Sequence, residues 1–262
     1  MRSLFTSAIA MFGLLFISQS AMSTEFINRA VFPKVQTIEI DDLYNNRDNY
    51  LIVDVRSSYE YETLHIKDAI HINMDEGDFI ANIQALRAQD ARPIVFYCNG
   101  HTCRKAYQAC QRADDYGVND TIAFDAGVFD WTRNHPDQAV LLGQSPVDPS
   151  RLISNEKIQQ HMLDPEEFAR RVGPNSIVLD IRDSFQKEGI NLFPMYQRSV
   201  PMDNQRIAAF VQRAKDENKT LLIYDAVGRQ VSWLQYFLEA ENVPSYYFMR
   251  GGARAFLEFN GS

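Results

Sequence analysis

Cysteine is scarce in this 262-residue chain: only three occur, Cys98, Cys103 and Cys110. All lie within one short stretch, so they do not form the scattered framework of a disulfide-stapled secreted scaffold; an odd, clustered set points to site chemistry. No second Cys/His cluster accompanies them, which argues against a structural zinc site and leaves no metal to expect. There is also no run of like charges long enough to be an acidic or basic tail. The formal net charge of −8 argues against a general nucleic-acid binder, because such binding rests on clustered cations that displace counterions. No glycine-rich phosphate loop is present. Beyond the N-terminus no apolar segment is long enough to span a bilayer, which needs about 20 residues.

The N-terminus itself reads as an export signal. Met1-Arg2 precedes a mostly apolar stretch from Leu4 to Ile17 and a small-x-small end at Ala21 and Ser23, the order expected of a secretory leader. The expectation is therefore a signal segment over 1–23 with cleavage after Ser23, an uncleaved anchor being the alternative. A soluble periplasmic or secreted protein follows from it, with no membrane association once the leader is gone.

The remainder alternates short apolar runs with helical periodicity, the pattern of an α/β protein. Leu51-Ile-Val-Asp-Val55 and Pro93-Ile-Val-Phe-Tyr97 are β-branched or aromatic runs of the kind found in buried parallel strands. Phe79, Ile80, Ile83 and Leu86 share one face of a helix over 78–87, and a second helix is expected over 102–116. The pattern then recurs. Ile177-Val-Leu-Asp-Ile-Arg182 echoes Ile52-Val-Asp-Val-Arg56, Thr220-Leu-Leu-Ile-Tyr-Asp225 echoes Pro93-Ile-Val-Phe-Tyr-Cys98, and Phe248-Met-Arg-Gly251 echoes Phe124-Asp-Ala-Gly127. Asp54 to Cys98 is 44 residues and Asp180 to Asp225 is 45. Two copies of one unit are expected, over 24–145 and 146–262, joined through the turn-forming segment Gly143-Gln-Ser-Pro-Val-Asp-Pro-Ser150.

The chemistry concentrates in Tyr97-Cys-Asn-Gly-His-Thr-Cys-Arg-Lys105. A buried strand ends there and a helix follows, the place where parallel α/β sheets bind ligands. Backbone N–H groups and the partial positive charge of a helix start lower a thiol's pKa at such a position, and Arg104 and Lys105 add cations. Cys98 is the candidate nucleophile. Cys103, five residues on, is a candidate disulfide or resolving partner. Cys110, Trp131 and Trp233 read as core residues, and Asp54 with Arg56 as a structural ion pair or turn anchor.

The segment Val53-Asp-Val-Arg-Ser-Ser-Tyr-Glu-Tyr-Glu-Thr-Leu-His-Ile-Lys-Asp-Ala69 resembles the rhodanese signature: Asp-x-Arg, a Glu, then His-Ile-x-x-Ala. With Cys98 and the Gly127…Trp131 ending, the resemblance covers most of residues 33–140, and residues 155–259 are similar to the same family more weakly. It implies two tandem rhodanese-like domains, each a small, mainly parallel sheet flanked by helices. It also implies a sulfurtransferase that carries a sulfane sulfur on Cys98 as a persulfide. The donor would be a small anion such as thiosulfate and the acceptor a thiol, a protein or cyanide, with no metal or organic cofactor. Asn99, Gly100, His101, Thr102 and Arg104 would then contact substrate, and His65 would be structural. Two departures stand out. The second copy has Asp225 at the cysteine position and lacks the His-Ile-x-x-Ala run, so it reads as non-catalytic. The Cys98-x5-Arg104 spacing is one residue longer than is typical of the family's sulfurtransferases and resembles rhodanese-fold phosphatases and arsenate reductases. That chemistry, and a non-catalytic redox-sensing or protein-docking module, are the alternatives.

Overall fold

The computed structural model describes residues 26–183, 186–187 and 190–261; the expected signal segment lies outside them. The first half runs α1 (Ile27–Val31), β1 (Gln36–Thr37), α2 (Ile40–Asn46), β2 (Leu51–Asp54), α3 (Ser58–Thr63), β3 (Leu64–Ile66), β4 (Ile70–His71), α4 (Phe79–Gln89), β5 (Ile94–Tyr97), α5 (Lys105–Asp115), β6 (Thr121–Phe124), α6 (Gly127–Asn134) and β7 (Ala139–Leu141). The second half runs α7 (Asn155–Gln160), β8 (Met162–Leu163), α8 (Pro165–Arg171), β9 (Ser176–Asp180), β10 (Gln197–Ser199), α9 (Asn204–Asp216), β11 (Thr220–Tyr224), α10 (Val231–Ala240), β12 (Tyr246–Met249) and α11 (Gly252–Gly261).

Among the described residues each half forms one five-stranded parallel sheet. The strand orders are β1-β6-β5-β2-β4 and β8-β12-β11-β9-β10, with every neighbouring pair parallel. Matched strand by strand, the two orders are the same, so the internal repeat seen in the sequence is a repeat of topology. A short antiparallel ribbon, β3 with β7, is found in the first half alone among the described residues.

Both faces of each sheet are covered by helices, which is why the central strands are apolar throughout. Strand alternation sends successive residues of β5 to opposite layers. Ile94 and Phe96, and Cys98 just beyond, join one apolar cluster, while Val95 and Tyr97 join the other. Helix α5 buries Ala106, Tyr107, Ala109, Cys110 and Ala113, a stripe at helical spacing. Helix α3 starts on a capping box in which Ser57 and Glu60 satisfy each other's orphan donors.

The halves are joined by more than their linker. Trp233 and Tyr236 of α10 pack into the same cluster as Val95, Phe124 and Trp131 of the first half. The Trp233 ring stacks on Phe129 with centroids 5.5 Å apart. The Tyr59 hydroxyl donates to Asn204 Oδ1. Within the second half, the Ile153 N–H donates to the Tyr236 hydroxyl at 3.1 Å. Tyr236→Phe leaves that amide without its acceptor and is expected to cost about 1–3 kcal/mol, read as a lower denaturant midpoint at an unchanged slope.

Candidate active site

Strand β5 lies at the centre of the first sheet, and its carboxyl end delivers Cys98 into the loop that precedes α5. Cys98 and Cys103 are joined in a disulfide with their Cα atoms 6.3 Å apart. The loop curls to allow this: the Cys103 N–H donates to the Gly100 carbonyl at 2.8 Å, and the Val128 N–H donates to the Cys98 carbonyl at 3.0 Å. These constraints correct the expected start of the helix. It begins at Lys105 instead of Thr102, because the turn closed by Cys103 holds residues 102–104 out of helical register. The corresponding loop of the second half runs from Asp225 to a helix start at Val231 and is one residue shorter.

Cys98 is 2% exposed and Cys103 is half-buried. Cys110 is the free thiol, buried on α5, and burial pushes it up to about 12. Unreduced native protein is therefore expected to show no reactive thiol in an alkylation assay, and a single one after denaturation.

The loop is held by a charged frame beneath it. Arg56 is fully buried. Its guanidinium grips Asp54 at 2.9 and 2.5 Å, donates to the Leu64 carbonyl at 2.6 Å and reaches Asn99 Oδ1 at 3.0 Å. Burial works against the Arg56 charge, but the adjoining Asp54 carboxylate more than offsets it and the net direction is upward. Asn99 in turn donates to Glu60 Oε1 at 3.1 Å, the same Glu60 that caps α3. The Asn99 side chain is thereby committed to anchoring the loop. Gly127 (φ +69°) receives the loop from the other side: a Cβ there would lie 2.4 Å from Gly100 N, so this position requires glycine.

Asn99, Gly100, His101 and Thr102 form one wall of a cleft of about 650 Å³ between the halves, with Trp233 and Tyr236 opposite. His101 Nε2 lies 2.6 Å from Asp130 Oδ2, and its ring sits against Phe26. Arg104, expected as an anion ligand, is exposed at the N-cap of α5 and is not among the cleft-lining residues. The turn closed by the Cys103 N–H leaves it at the start of the helix. Lys105 pairs with Asp75 at 2.6 Å. Among the described residues no group of His, Cys, Asp and Glu is arranged to hold a metal.

Four contributors were not singled out from the sequence. Asp130 orients His101, and Glu60 holds Asn99. Asn28 of α1 donates to the His101 and Cys103 carbonyls at 3.2 and 3.4 Å. Asp125 ties α1 to α5 through Arg29 and Tyr107. The Ser57-x-x-Glu60 capping spacing is a local signal for Glu60, beside the glutamate of the 53–69 signature. The other three act across long sequence separations.

The second site repeats the frame with different chemistry. Asp180 and Arg182 pair at 2.9 and 2.8 Å, as Asp54 and Arg56 do. Asp225 occupies the cysteine position, and its carboxylate accepts from the N–H groups of Val227 at 3.0 Å, Gly228, Gln230 at 2.5 Å and Val231 at 3.3 Å. The loop's inward-facing donors are thus filled by a side chain of the loop itself. Asp225→Asn turns an amide NH₂ toward those donors and is expected to cost about 1–3 kcal/mol, measured by chemical denaturation.

Two parallel sheets with a cysteine loop at the carboxyl end of a central strand, buttressed by a buried Asp–Arg pair, define the class: a tandem α/β protein with a cysteine-bearing loop on one of its two sheets. The rhodanese-like domain family matches residues 39–134. Thiosulfate sulfurtransferase GlpE of Pseudomonas savastanoi is 31% identical over 94 residues, covering 34% of this chain and 79% of that protein. The tRNA uridine(34) hydroxylase of Escherichia coli is 28% identical over 133 residues, covering 47% of this chain but only 37% of the hydroxylase. Among solved structures, a thiosulfate sulfurtransferase from Pseudomonas aeruginosa is similar at 18% identity and a TM-score of 0.38, over 88% of this chain and 46% of that one. The chain belongs to the rhodanese-like family.

Proposed function

We propose that this protein is a sulfurtransferase in which reduced Cys98 carries the transferred sulfur. The Cys98 thiolate attacks the outer sulfur of a small anionic donor, thiosulfate in the simplest case. The donor S–S bond breaks and sulfite leaves with its electron pair. The resulting persulfide passes its outer sulfur to a thiol, on a small molecule or a protein, or to cyanide, which makes the reaction ping-pong. The observation that carries this reading is the position of Cys98. It lies beyond the carboxyl end of the central strand, in a loop that walls the cleft and enters the positive end of α5. The 31% identical relative named as a thiosulfate sulfurtransferase supports it. The exposed placement of Arg104 favours sulfur transfer over the oxyanion chemistry of rhodanese-fold phosphatases, which needs an arginine on the bound anion.

On this reading the second half is non-catalytic, since a carboxylate at 225 cannot hold a sulfane sulfur. The leader-like N-terminus favours export to the periplasm or beyond, and a disulfide in the reacting loop fits an oxidising compartment. The protein must then be reduced at the loop before it can turn over. The test is sulfite release: reduced protein mixed with thiosulfate liberates sulfite in a burst stoichiometric with protein, and cyanide is converted to thiocyanate. Absence of the burst in fully reduced, folded protein overturns the assignment.

A further inference from the structure

Cys103 is the element of the site that a simple relay of sulfur leaves unused. Its Sγ is bonded to Cys98 Sγ, so the loop as folded brings Cys103 onto the inner sulfur of any group carried by Cys98. Two further observations bear on what it does there. Cys98 itself is almost wholly buried, whereas Cys103 is half-buried, so Cys103 is the more accessible member of the pair to a reagent from solution. The carbonyls of His101 and Cys103 are also tethered by Asn28, which holds the Cys103 side of the loop in place.

Resting on the sulfurtransferase reading, we infer that Cys103 is an internal acceptor that reduces the carried sulfur and releases it as sulfide. After sulfur transfer, the Cys103 thiolate attacks Cys98 Sγ of the persulfide. A bond forms between the two Sγ atoms, and the bond to the outer sulfur breaks. That sulfur takes up the proton given up by the Cys103 thiol and leaves with the electron pair as hydrosulfide. The sulfane sulfur gains two electrons, and the two cysteines lose them in forming the disulfide found in the structure. The cycle closes when an external dithiol, attacking Cys103 Sγ, releases Cys98 as thiolate and is itself oxidised to a disulfide. Attack on the inner sulfur is what separates this from a relay: attack on the outer sulfur would move the persulfide to Cys103 without changing its oxidation state. An acceptor held five residues away has an effective concentration of roughly millimolar or above, so dilute external thiols compete poorly for the persulfide. The second half, with Asp225 and Gln230 in the corresponding loop, has neither partner of this reaction. The protein is thereby a dithiol-dependent sulfane-sulfur reductase whose product is sulfide.

The experiment is a single turnover. Pre-reduced protein, freed of reductant, is mixed with excess thiosulfate, with no cyanide or added thiol. Sulfite and sulfide are quantified, and intact mass is recorded. The expected result is one equivalent of each product and a protein lighter than the dithiol form by two hydrogens. Cys103→Ser, with Cys103→Ala as a second variant in case the first fails to fold, releases sulfite, gains the mass of one sulfur and yields no sulfide. Wild-type protein that releases sulfite but keeps a stable extra sulfur, with no sulfide, overturns the internal acceptor and leaves the sulfurtransferase standing. Absence of sulfite from every folded form overturns both.

Discussion

Cys98→Ser is expected to lower sulfite release from thiosulfate by at least about 1,000-fold, because removing a covalent nucleophile eliminates the step that the rest of the site serves. A serine hydroxyl in this buried loop does not ionise at neutral pH, and the S–O bond it would have to form cannot store a transferable sulfur. The substitution is small, and the site it enters is closed. A melting temperature close to that of the reduced parent therefore separates lost chemistry from lost fold, and turnover near the parental rate would remove Cys98 from the mechanism. The comparison must be made under reduction, since the oxidised parent has no free thiol at this position.

Arg56→Met is expected to be the most damaging change to the frame. It leaves Asp54 buried without its partner, and breaking a buried pair from one side costs about 3–5 kcal/mol. Equilibrium denaturation of the variant measures this directly. The double variant Asp54→Leu/Arg56→Met recovers part of the loss, because an apolar pair of similar volume carries no stranded charge. Recovery remains incomplete, since the Leu64 carbonyl and Asn99 Oδ1 have each lost a donor. Arg182→Met removes the guanidinium from Asp180 in the second half, where Gln197 Nε2 still donates to the carboxylate at 3.4 Å, and there the expected cost falls on stability alone. Equal loss of sulfur transfer in the folded fractions of Arg56→Met and Arg182→Met would show that Arg56 has no special hold on the reacting loop.

Much of this architecture was readable from local pattern. The apolar runs at 51–55 and 93–97 became strands because burial on both faces leaves no room for polar alternation. The paired spacings Asp54…Cys98 and Asp180…Asp225 marked the repeat because both ends of each interval sit at strand termini. Asp54 and Arg56, two apart on a strand end, announced their own ion pair. The start of α5 was not readable. Thr102, Cys103 and Arg104 have ordinary helical propensity, and only the loop's own conformation, curled back so that Cys103 meets Cys98, keeps them out of the helix. The same displacement carried Arg104 away from the role its spacing suggested. Asn28, Asp130 and the stacking of Phe129 on Trp233 were equally hidden, since each depends on segments brought together by the fold. Trp233 read as core and is buried, in a cluster that both halves share.

The glycines that receive the two loops have a consequence for how such a site diversifies. At Gly127 the main chain of residues 99–100 presses against the backbone, and at Gly252 an added Cβ would lie 2.6 Å from the Asp225 carbonyl oxygen. The seat of each loop is thus built from main chain on both sides and is indifferent to the side chains the loop displays. One copy can therefore exchange a thiol for a carboxylate, or lengthen by a residue, and still dock in the same place. The loop is thus an exchangeable insert on a fixed mount, and a duplicated chain can keep the mount twice while presenting a thiol on it once.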